Sequence, residues 1–172
     1  MVTIARERTA ISRSKVSAPT KWAEEEGHIS GTVYDWGCGK GMDSKWLRSM
    51  DYQVISHDPY HLPENDPDSV DFSNVDTIIC NYVLNVIDEQ AERESLLKKI
   101  ASKGVGTVII SVRCDVDVNA KKNGWKQYGD GYCTSHNTFQ KNYDMNDVKE
   151  MGKLFGSIKD IRHKNGGITV VF

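Results

Sequence analysis

No two cysteines of the chain stand close together. Cys38, Cys80, Cys114 and Cys133 form no CxxC and follow no regular spacing, whereas tetrahedral zinc sites draw paired ligands from nearby positions. Metal binding is therefore not expected. Cys38, Cys80 and Cys114 sit in or beside apolar runs, where a buried free thiol is the common outcome. Unpaired thiols point to a reducing, cytoplasmic setting. Long apolar runs are missing too: mean hydropathy is -0.52, and nothing approaches the ~18 residues a membrane helix requires. The opening stretch, MVTIARERTAISRSK, is basic but has no apolar centre, so it does not read as a secretory signal. Repeats, low-complexity tracts and long Pro/Gly/Ser linkers are also lacking. These absences argue against a membrane protein, a secreted mini-protein and a two-domain enzyme.

What is present suits one globular α/β domain over residues 1–172. The chain is 38% hydrophobic and 27% charged, and at this length it can bury roughly 70% of its unfolded surface. A net charge of -2 hides an uneven distribution. Arg6, Arg8, Arg13, Lys15 and Lys21 face Glu7 alone in the first 21 residues, whereas Asp58 to Glu92 holds nine acids and no Lys or Arg. The first segment would attract a polyanion and the second repel it, although a basic run is equally often just a solvated arm.

Short β-branched runs alternate with helical stretches. Strands are expected at Thr32–Trp36, Tyr52–His57, Val75–Cys80 and Val105–Val112, the last apolar enough to be buried on both faces. Helices are expected at Gly41–Met50, about Asp88–Lys103 and about Met145–Leu154, with an N-terminal helical arm over 1–28. Asp58 to Phe72 holds three of the four prolines and reads as loop. Lys164-Asn165-Gly166-Gly167 between two strand-like runs predicts a closing antiparallel hairpin. The alternation as a whole predicts βαβ units around a mostly parallel sheet with helices on both faces. Residues 113–142 break the pattern and read as a long loop or lid on the substrate side.

The chemistry concentrates where the first strand ends. Asp35-Trp36-Gly37-Cys38-Gly39-Lys40-Gly41 runs a strand into three alternate glycines just before a helix. A sharp turn that lets a ligand approach the backbone needs residues without Cβ atoms. Asp58, at the end of the second strand, is placed to bind the hydroxyls of a ribose. A dinucleotide would meet this turn with its pyrophosphate. Asp35 would repel that group and favour an ammonium instead.

The acid followed by GxGxG resembles motif I of the class I S-adenosylmethionine-dependent methyltransferases. That resemblance implies a Rossmann-like class I methyltransferase fold, S-adenosylmethionine as cofactor, and contacts to it from Asp35, Gly37, Cys38, Gly39, Gly41, Asp58, Pro59 and Asn81. Ligands of open α/β sheets bind beyond the carboxyl ends of the strands, so Asn81 and Tyr82 are expected at the transfer centre. Val83, Leu84, Val86 and Ile87 read as packing and Asn85 as a cap. His136 is the most available general base, weighed against an ordinary exposed loop histidine.

A narrower likeness covers about Thr9 to Tyr143. Thr9–Ser17 (TAISRSKVS), DWGCGKG, Asp58-Pro59, NYVLNVI from Asn81, Ser111-Val112-Arg113, Gly129-Asp130-Gly131 and Thr138-Phe139-Gln140-Lys141 together resemble the DNA phosphorothioation-associated methyltransferases. This implies a nucleic acid or modified nucleotide as acceptor and DNA modification as the setting. Arg113, Phe139 and Lys141 would then form the substrate wall. Lysines and aromatics interleaved from Lys121 to Tyr143 would suit unpaired nucleotides, or equally a lid over the cofactor. The polar-Pro-Pro-aromatic run of exocyclic-amine methylation is absent after Cys80, and Cys80 lacks the preceding proline usual for cytosine C5 chemistry, so both base chemistries are weakened. The competing readings are a small-molecule methyltransferase, a non-catalytic cofactor-binding module acting through a partner, and, more distantly, a dinucleotide oxidoreductase.

Overall fold

Runs of five to seven residues rich in β-branched and aromatic side chains form the spine of the molecule. In the computed structural model, which describes residues 2–172, β1 (Thr32–Trp36), β2 (Gln53–His57), β3 (Thr77–Asn81) and β4 (Thr107–Arg113) lie parallel. β8 (Asp160–Lys164) and β9 (Gly167–Val171) complete the sheet as an antiparallel hairpin, in the order β2-β1-β3-β4-β9-β8. Asn165 and Gly166 both take positive φ at its turn, as the Asn-Gly pair predicts. The order of strands reverses between β1 and β3, which opens a crevice at their carboxyl ends.

Alternate residues of each strand feed two cores. Tyr34, Ile78, Cys80, Ile110 and Val170 point to one, closed by α3 (Gln90–Ser102) and α5 (Met145–Phe155). Val33, Ile79, Ile109 and Val171 point to the other, closed by α1 (Ala18–Glu25) and α2 (Met42–Ser49). No helix of the described residues is long and apolar enough to cross a membrane.

Two segments depart from expectation. The N-terminal arm is helical only in α1 and a single turn at Arg6–Arg8; Thr9 to Val16 form no helix. Ser17 caps α1 and Pro19 sits in its first turn, so the helix cannot begin earlier at low cost. Residues 113–142 are not one open loop. They hold α4 (Val116–Asn123) and a separate antiparallel sheet of β5 (Lys126–Tyr128), β6 (Gly131–Cys133) and β7 (Phe139–Gln140). Strands of two or three residues are too short to show alternation in sequence.

Arg93 fastens this small sheet to α3. Its buried guanidinium binds Asp130 and the carbonyls of Ile87 and Asp88, and it lies 5.7 Å from the ring of fully buried Phe139. Replacing it strands two carbonyls and leaves the Asp130 carboxylate to Lys141 alone. Arg93→Ala should therefore lower stability by roughly 2–3 kcal/mol in urea unfolding, and faster amide exchange at Tyr132 and Phe139 should accompany the loss.

Candidate functional site

Three left-handed glycines set the geometry at the end of β1. Gly37, Gly39 and Gly41 take φ of 72°, 55° and 80°. A Cβ on Gly37 would meet Val83 at 2.4 Å, so neither the dihedral nor the space admits another residue. The amides of Gly37 and Cys38 both donate to the carbonyl of His57, which ties the turn to β2. Asp58 follows directly. Its carboxylate accepts from the amides of Gly39, Tyr60 and His61, each at 3.0 Å. That leaves about one of its four acceptor positions for an incoming hydroxyl.

This turn floors a cavity of about 300 Å³, a size that suits a small ligand. Asp35, Gly37, Cys38, Gly39, Asp58, Pro59, Asn81 and Tyr82 line it; Gly41 shapes the bend from behind. Asp35 lies at the end of a buried relay in which Arg48 donates to Ser56, Ser56 to Ser44 and Ser44 to Asp35. Burial pushes the Asp35 carboxyl up to about 7. Burial also raises the Cys38 thiol to about 12, as it does that of Cys80, so neither is a ready nucleophile.

Asp43 organises the far wall. It accepts from the Ser17 amide at 2.7 Å, the Ser17 hydroxyl at 2.5 Å, the Thr20 hydroxyl at 2.7 Å and the Asn81 amide at 3.4 Å. Asn81 also donates to Thr20 and accepts from Ser111, so its side chain is fixed in orientation with one acceptor lone pair left over. Tyr82 comes next with φ of 59°, a left-handed turn that costs a non-glycine residue on the order of 1 kcal/mol. The turn throws its ring across the sheet between Arg13 and Arg113, whose guanidinium carbons lie 6.0 and 5.8 Å from its centre.

The N-terminal arm roofs the cavity. Arg6, Thr9, Ala10, Ile11 and Arg13 line it from above. Arg6 pairs with Asp88 and Glu92, Lys40 donates to Ser12, His61 bonds the Glu7 carbonyl, and the Ala5 amide reaches Asn137. The basic arm thus binds the acidic segment of its own chain.

Other expected site residues stand apart. His136 is exposed and lines no part of the cavity. Phe139 is fully buried beneath Arg93, and the Lys141 ammonium lies 3.4 Å from Asp130. Of the proposed substrate wall, only Arg113 reaches Tyr82. Sequence reasoning missed Asp43, Ser17, Thr20 and Arg13 as site residues. Two of these were accessible through capping signals: Ser17 stands two residues before a proline, and Asp43 is an acid in the first turn after the glycine bend.

No family model matches the chain and no curated protein does, but many solved structures share its fold. A SAM-dependent methyltransferase from Methanosarcina mazei is 14% identical, with 86% of this chain and 95% of that one covered at a TM-score of 0.66. The 1,6-didemethyltoxoflavin-N1-methyltransferase of Burkholderia thailandensis, solved with 1,6-didemethyltoxoflavin and S-adenosylhomocysteine, is 15% identical over 97% and 77% at 0.60. Magnesium protoporphyrin IX methyltransferase from Synechocystis, solved with SAM bound, is 16% identical over 96% and 88% at 0.58. The chain has the Rossmann-like methyltransferase fold.

The raised Asp35 has a consequence for stability. The native carboxyl holds its proton up to about pH 7, whereas the unfolded one releases it near pH 4. The contribution of Asp35 to stability is therefore full below about pH 4 and is lost as pH rises through 7. Asp35→Asn removes that loss, so its advantage over the parent should grow by on the order of 1–3 kcal/mol between pH 5 and 8 in denaturant titrations.

Proposed function

We propose that the chain is an S-adenosylmethionine-dependent methyltransferase acting on a nucleic acid or modified nucleotide. The observation that carries the first part is the convergence of the left-handed GxGxG turn, Asp35 and Asp58 on one cavity that ends at Asn81 and Tyr82. The residues fit the cofactor. The floor carries the carboxylates of Asp43 and Asp58, with Asp35 ionising above about pH 7, as a ligand with ammonium and sulfonium charges requires. Asp58 keeps an acceptor position for a ribose hydroxyl, and the glycines leave the backbone bare. When bound, S-adenosylmethionine supplies an activated methyl group.

The protein's share of the work is placement. Asn81 is locked by Thr20 and Ser111, so its free acceptor lone pair can orient a nucleophile without reorganising. The arm and Tyr82 exclude water from the centre and hold the nucleophile near attack distance. The nucleotide acceptor is supported by the TAISR and TFQK elements of the sequence and by Arg13 and Arg113 on either side of Tyr82. A small-molecule acceptor is the second reading. It is favoured by the roof over the cavity, by the pairing of Arg6 within the chain, and by the burial of Phe139 and Tyr143, which removes two rings from any stacking platform.

Incubation with methyl-labelled cofactor and separated DNA, RNA, nucleotide and metabolite fractions should place label in a nucleic-acid or nucleotide fraction. Label confined to other metabolites would support the second reading, and no cofactor binding at all would sink both. Asp58→Ala should weaken S-adenosylhomocysteine binding by roughly 1.5–3 kcal/mol in calorimetry. Asn81→Ala should lower kcat by tenfold or more while changing cofactor affinity less; the opposite split would move the transfer centre elsewhere.

A further inference from the structure

The sheet continues past Tyr82, and its face there is basic. Residues paired across a ladder share a face, and so do alternate residues of one strand. Asn81 pairs with Ser111, Ser111 with Thr169 and Thr169 with Arg162, which makes one row across four strands. Ser111 joins it by bonding Asn81 at 2.7 Å and Thr169 at 3.0 Å. A second row on the same face runs from Arg113 through Gly167 to Lys164. The Tyr82 phenol lies against Gly167, where a Cβ would stand 2.9 Å from its oxygen, so glycine leaves the ring its room there.

Three arginines gather around this ring, Arg13 from the arm, Arg113 and Arg162, and Lys164 extends the same strand face through its register with Gly167. Arg113 is held by Asp115 at 3.0 and 2.5 Å. Arg13, Arg162 and Lys164 pair with no carboxylate among the described residues. The fields of Arg113, Arg13 and Arg162 all reach the Tyr82 hydroxyl. The cavity floor on the other side of Asn81 carries Asp35, Asp43 and Asp58. The site is therefore split by sign, with a cation-binding floor and an anion-binding shelf meeting at Asn81-Tyr82.

We infer that this shelf, formed by Arg13, Tyr82, Arg162 and Lys164 with Arg113 behind, binds a phosphate group of the methyl acceptor. Three uncompensated cations match a phosphate better than the single charge of a carboxylate, and the fork of arginine suits its oxygens. The phosphate would dock beyond Tyr82 and leave the rest of the acceptor to reach back over Asn81. This assignment rests on the methyltransferase reading for its meaning, but not for its test.

The test is an NMR titration of arginine side-chain Nε–H signals with inorganic phosphate at constant ionic strength, run beside acetate. Saturable shifts at Arg13 and Arg162 are expected, with acetate weaker by at least threefold. The double variant Arg162→Gln, Lys164→Gln changes two side chains outside the cavity. It should lose phosphate affinity fivefold or more while binding S-adenosylhomocysteine within twofold of the parent, which also shows that it folds. A nucleoside monophosphate and a short single-stranded oligonucleotide then separate the two sources of phosphate: tighter binding of the oligonucleotide assigns a polymer, the reverse order a free ester. No saturable shift with any phosphate, or undiminished affinity in the double variant, overturns the shelf. Failure to bind S-adenosylhomocysteine would instead strike the methyltransferase reading and leave the phosphate result standing by itself.

Discussion

The carboxylate of Asp43 is the joint on which the site depends. Donors from the arm, from the helix after it and from the end of β3 all converge on its two oxygens. It stands in the first turn of α2, where the helix dipole favours a negative charge. The glycine bend delivers that helix and also exposes the backbone, so cavity floor and arm are fixed by one short stretch of sequence. Without the joint, Asn81 loses part of its orientation and the roof loses its root.

The two halves of the site show how a small sheet can present opposite charges within a few strands. Strands lie ~4.8 Å apart, so a crossing from β1 to β8 passes from acidic to basic ground over a short distance. Tyr82 and Asn81 form the boundary. The strained backbone at Tyr82 belongs to this arrangement, because a relaxed conformation would not send the ring across to Gly167.

The parts legible in sequence were those with local causes. The strand-glycine-helix bend, Asp58, and the Asn165-Gly166 hairpin declare themselves through residues adjacent in the chain, and all lie where expected. The basic arm was legible as charge but not as contact, since its partners Asp88, Glu92 and Asn137 are fixed only by the fold. Phe139 and Lys141 looked like substrate residues because aromatics mixed with lysines read the same whether they face a ligand or Arg93 and Asp130. The basic shelf was illegible: its residues come from three separate stretches, Arg113, Arg162 and Lys164 gathered by strand register and Arg13 by the packing of the arm on Tyr82.

The roof also bears on how the molecule comes to be made. Residues 5 to 17 are translated ahead of their partners at Asp43, Asp88 and Asn137, which follow tens of residues later. The Asp43 and Asp88 anchors precede β4, whereas the Asn137 anchor follows the whole parallel core. Closing so long a loop costs entropy that only the finished fold repays. The roof is in this sense the last part to settle, and the cavity is shut only when synthesis has passed its most distant anchor at Asn137.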